Sequence, residues 1–133
     1  MPAIQSLPNL VLEPDVRDQR FDDLVSRVQR GYAFMDVDVW SDQQMMKISG
    51  TGLVFEIKSG KIGKPVQNAG FLLRSSDLWK NIIALGGPST AKTRGMIQGK
   101  GHPYQHAQLG VTAVPACIRD VDFIDTGRWK YTV

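Results

Sequence analysis

The chain has 133 residues, with 16 Lys+Arg against 13 Asp+Glu and a formal net charge of +3. That length suits one domain with a real core, and 42% hydrophobic with 22% charged residues excludes a disordered chain. No apolar run is long enough to span a bilayer as a helix, and Met1 to Leu12 lacks the basic head and long apolar run of a secretory signal.

Asn9 to Pro14 predicts a short strand stopped by proline. Phe21, Leu24, Val25 and Val28 fall at i, i+3, i+4 and i+7, the apolar face of a helix. Asp18 is its expected N-cap and Gly31 its expected left-handed C-terminal cap. From Tyr32 the period changes to two, with Met35, Val37 and Val39 alternating with Asp36 and Asp38. Gln44 to Ile48 predicts a further strand, interrupted by Ser49 to Gly52. Leu53–Lys58 and Lys61–Val66 flank Ser59-Gly60, a two-residue hairpin signal. Phe71 to Leu73 continues the β pattern.

Ser75 and Ser76 suit the cap of a second helix carrying Leu78, Trp79, Ile82, Ile83 and Leu85, stopped at Gly86-Gly87-Pro88. Residues 87–106 are rich in Gly, Pro and polar groups and predict a long connection with little regular structure. Such a loop is more often functional or a partner contact than idle. His106–Val114 and Ile118–Ile124 predict two last strands. The expected fold is α+β: a mainly antiparallel, barrel-like sheet domain over residues 1–133, with two helices packed against it.

The densest basic group, Lys58, Lys61 and Lys64, surrounds a turn, and no broad basic stripe with interleaved aromatics marks a nucleic-acid face. The single Cys117 excludes an intramolecular disulfide and suits an intracellular, cytoplasmic chain. Its apolar neighbours point to packing rather than to nucleophilic or ligand chemistry.

Gly86-Gly87-Pro88-Ser89-Thr90-Ala91-Lys92-Thr93 comes close to a phosphate-binding loop. It lacks the glycine before the lysine and follows a predicted helix rather than a strand. His102 and His106 have a zinc-like spacing, but Pro103 between them opposes a helix. An extended stretch would hold them about 13 Å apart, and a third ligand is missing. Asp36 and Asp38, and likewise Asp120 and Asp122, alternate as the solvent face of a strand does. No local motif encodes a complete active site.

Several stretches, in one order along nearly the whole chain, resemble the C-terminal domain of the TldD/PmbA proteins, once labelled modulators of DNA gyrase. They are Leu7–Pro14, Ser41–Gln44, Phe55–Val66, Leu78–Ile82, Gly86–Thr90 and Gly99–Pro103. Asp42-Gln43-Gln44 and Gly99-Lys100-Gly101 are more similar to the TldD branch. The resemblance implies a zinc metallopeptidase family acting on peptides and partly unfolded proteins, often as a TldD–TldE heterodimer. The family's His-Glu-x-x-x-His zinc helix is not among these residues, and its further cysteine ligand matches Gln98. A neutral carboxamide is a poor zinc ligand beside a thiolate, and Cys117 lies in another predicted strand.

Zinc is therefore implied only for a complete family member, with no cofactor expected on this chain alone. The expected role is to supply substrate-binding and subunit-contact surface, with no catalytic residue of its own. Gln98, Lys100, His102 and Gln105 are the contact candidates. The expected partners are a peptide or unfolded protein and a further copy or relative, with neither a membrane nor a nucleic acid. The competing expectation is a stand-alone binding or scaffold module.

Overall fold

The computed structural model describes residues 8–128, so Leu7 of the first matched stretch and most of the N-terminal segment lie outside the described residues. The chain separates into two compact units, one formed by residues 1–20 and 85–115, the other by residues 21–84 and 116–133. Among the described residues the fold is α+β and mainly antiparallel, with two α-helices, and the strands form open sheets rather than the barrel-like closure expected.

In the larger unit, α1 (Phe21–Ser26) buries Leu24 and Val25. It ends sooner than its apolar spacing suggests. The Ser59 and Gly60 N–H groups donate to the Gln29 and Val28 carbonyls at 2.8 and 2.9 Å, fixing the following residues outside the helix. Gly31 consequently belongs to β2 (Arg30–Asp42), opposite Ile57, and does not cap a helix.

β2 pairs antiparallel with β3 (Lys47–Lys58), which runs unbroken through Gly50 and Gly52, where an interruption was expected. Cross-strand pairing there outweighs the weak strand propensity of glycine. A one-residue bulge between Met35 and Asp38, with Asp36 at φ 47°, breaks the simple alternation that would put Asp36 and Asp38 on one side. β4 (Lys61–Val66) returns along β3 through the expected turn, with Ser59 and Gly60 both at positive φ.

β5 (Ala69–Arg74) pairs with the first half of β3, on the edge opposite β2. α2 (Ser75–Asn81) lies beside β5; Arg74 is its cap position and no side chain caps it, contrary to the expected serine cap. Ile82, Ile83 and Leu85 leave the helix and form β6 (Ile82–Leu85), which pairs with β9 (Ala116–Ile118). The β-branched Ile82 and Ile83 and the apolar Leu85 suit a short strand as well as a helix face.

The predicted strand 118–124 is also divided. Asp120, at φ 55°, stands between β9 and β10 (Asp122–Asp125), so strand alternation does not relate Asp120 to Asp122. β10 completes the sheet order β10-β5-β3-β2. The core of this unit is Val25, Ala33 and Ile57, packed by Phe21, Val28 and Phe55.

In the smaller unit, β1 (Leu10–Val11) runs parallel to β8 (Gln105–Ala113), and β8 pairs antiparallel with β7 (Lys92–Lys100). The expected irregular connection 87–106 is thus largely a strand and a hairpin turn. Segment 12–20 is fastened to residues 86–89 by hydrogen bonds. Asp15 N–H donates to the Gly86 carbonyl at 3.0 Å and Gly87 N–H to the Gln19 carbonyl at 2.8 Å. Gln19 is buried, and its amide donates to the Asp15 carboxylate and the Leu85 carbonyl. No helix among the described residues is long and apolar enough to cross a membrane.

Candidate functional site

β7 and β8 share nine successive antiparallel partners, from Lys92 opposite Ala113 to Lys100 opposite Gln105. Strand alternation puts Lys92, Arg94, Met96, Gln98 and Lys100 on one face, with Ala113, Val111, Leu109, Ala107 and Gln105 opposite them. The other face carries Thr93, Ile97 and His106, and the 2.7 Å hydrogen bond between the Thr93 and Thr112 hydroxyls fits that assignment.

At the tip, Gly101 turns the chain at φ 94°, followed by a cis His102–Pro103 peptide. The Tyr104 ring folds back over Gly99, where any Cβ would collide with the phenol. It meets His106 edge-on, with centroids 4.8 Å apart and planes at 89°. Only glycine at position 99 leaves room for that ring.

Three of the four predicted contact residues therefore come together. Gln98 and Lys100 share a face, and Gln105 is the cross-strand partner of Lys100. His102 sits in the turn, exposed, and His106 belongs to the opposite face. Sequence reasoning missed the neighbours that give this hairpin its chemistry, namely Arg94, Met96, Ile97 and Tyr104. The available signal was Lys100-Gly101-His102-Pro103-Tyr104 as a turn between two segments of strand length, concealed because every residue from Lys92 to Ile97 is exposed.

The near phosphate loop has another use. Pro88–Thr90 forms a single 3-10 turn that leads into β7 rather than into a helix. Ser89 N–H donates to the Asp18 carboxylate at 2.9 Å, and that hydrogen bond holds Asp18 below the usual carboxylate range. Asp18 thus accepts this N–H and does not cap α1. A carboxylate already occupies the place where an anion would need a free donor.

The donor set does not fit zinc. No group of three His, Cys, Asp or Glu is placed to hold a metal among the described residues. Cys117 lies in β9, half-buried, and burial pushes its thiol up despite the charge of Arg27. A zinc ligand needs the opposite, a stabilised thiolate. Gln98 offers only a neutral amide.

Comparison with known proteins agrees with the resemblance read from the sequence. The sequence profile of the PmbA/TldA metallopeptidase C-terminal domain matches residues 2–112. A crystal structure from Thermotoga maritima MSB8, of a candidate modulator of a DNA gyrase, shares the fold with a TM-score of 0.62 at 17% identity. The match covers 87% of this chain and 24% of that one, so this chain spans about a quarter of its length. No curated protein matches the chain. On the profile match, which extends over most of its residues, the chain belongs to the PmbA/TldA metallopeptidase family, as its C-terminal domain.

Proposed function

We propose that this domain engages peptides and unfolded polypeptide for a TldD-type metallopeptidase, and contributes subunit-contact surface, without cleaving anything alone. The observation that carries the reading is the free edge of β7. Among the described residues it ends the sheet order β1-β8-β7, and Lys92 to Ile97 are all exposed. An extended peptide added to such an edge is held mainly by main-chain hydrogen bonds, which tolerate many sequences. That tolerance suits a family acting on unfolded chains. In a complete assembly the family's zinc would supply the hydrolytic chemistry; this chain's own residues would orient the substrate strand.

The test is to incubate the purified chain with zinc and a denatured protein. Binding without cleavage is expected, and sustained cleavage that stops on adding a chelator would contradict the non-catalytic reading.

A further inference from the structure

The β7 edge also has a chemical preference written into it. No Asp or Glu occurs between Asp77 and Asp120. The hairpin of β7 and β8 is therefore free of acidic residues and carries Lys92, Arg94 and Lys100 on one face. None of these three has a salt bridge among the described residues. Beside Lys92 and Arg94, an open depression of about 470 Å³ is lined by Met96, Val111, Ala113 and Pro115. Met96 is 55% exposed and Ile97 71% exposed, in the middle of the free edge.

Lysines on an edge strand often serve only to prevent unwanted pairing. β4 shows what that protection looks like in this protein: Lys61 and Lys64 stand with Pro65 beside a register shift. β7 has lysines too, but neither the proline nor the register shift. It contains no proline, its register with β8 is unbroken over all nine pairs, and its centre is apolar. The other long terminal strand, β2, is bulged and carries Asp36, Asp38 and Asp42. The long edge with neither proline nor bulge is thus the basic one.

We propose that the β7 edge selects extended peptides with acidic side chains at alternate positions, followed by an apolar one. Successive residues on one face of a strand are about 7 Å apart. A peptide paired parallel to β7 with the pattern acid-x-acid-x-apolar matches Lys92, Arg94 and the exposed Met96 in order. Main-chain pairing supplies the general affinity, and the two basic side chains supply the discrimination. This preference rests on the peptide-binding reading above.

Fluorescence anisotropy with three labelled octapeptides of one length tests it. They are an acidic probe (Thr-Asp-Thr-Asp-Thr-Leu-Thr-Val), a neutral one with Asn for each Asp, and a basic one with Lys for each Asp. The acidic probe is expected to bind tightest, with an affinity that falls as salt rises. Lys92→Glu/Arg94→Glu, checked for native circular dichroism, should weaken it on the order of ten-fold. Lys61→Glu/Lys64→Glu should leave it unchanged. Equal binding of all three probes overturns the acidic preference and leaves peptide binding standing. Binding of none of them overturns both. Tighter binding of an oligothymidylate, lost in the Lys92/Arg94 variant, overturns the proposal in favour of nucleic acid.

Discussion

Replacing Ile57 by Ala is expected to lower the unfolding free energy by about 3 kcal/mol. Ile57 is 3% exposed and joins Val25 of α1 to Ala33 of β2, so it connects the helix to the sheet. Truncation loses the transfer free energy of its methyl and methylene groups and leaves a cavity. Ala33 is too small to fill that space, and the backbone around Ile57 is fixed by pairing to Gly31 on one side and Ile62 on the other. Leu53 provides the control, since it lies on the same strand but is 51% exposed. Leu53→Ala should cost no more than about 0.5 kcal/mol. Urea unfolding of the two variants, with unchanged slope, measures both.

A comparable loss, about 3 kcal/mol, is expected for Gly87→Ala, from crowding rather than from a cavity. Gly87 is buried, and a Cβ there would overlap the Asp18 backbone and come within 2.6 Å of the Arg17 carbonyl oxygen. These neighbours are backbone atoms held by the Gly87 N–H to Gln19 and Ser89 N–H to Asp18 hydrogen bonds, so no side chain can swing away to make room. Gly95 offers the contrast, because a Cβ there meets nothing within 4 Å. Gly95→Ala should be neutral or slightly stabilising, as alanine loses less chain entropy on folding. Thermal melts of Gly87→Ala and Gly95→Ala separate crowding at one site from a general effect of glycine replacement.

These two sites also show how far the sequence could be read. The hairpin at Ser59-Gly60 was legible because its chemistry is local: two positive-φ residues between two apolar-patterned strands. The existence of α1 was legible from its apolar spacing, whereas its ends were not: Asp18, the expected cap, accepts the Ser89 N–H instead. The stop comes from carbonyls of Val28 and Gln29 that accept bonds from residues 59 and 60, a partner remote in sequence. β6 was read as helix for a related reason, since a four-residue apolar run fits either state until β9 pairs with it.

The candidate site was legible in part. Gln98 and Lys100 were named through the family resemblance and Gln105 as the end of the expected loop, and the hairpin puts the three together. Their surroundings were hidden because β7 is exposed on both faces through Ile97 and shows no period-two hydrophobicity. Its glycines therefore read as loop breakers. Yet Gly99 is the floor beneath Tyr104, a close approach that no local pattern announces.

Amide hydrogen exchange, with and without a saturating unfolded polypeptide, addresses substrate engagement at the β7 edge most directly. Pairing of a bound strand should slow exchange in Lys92 to Lys100, where outward N–H groups gain partners. The β4 and β2 segments should be unchanged. Protection confined to β2 or β4, or binding that slows no amide in β7, would contradict the assignment of this edge as the peptide-binding surface.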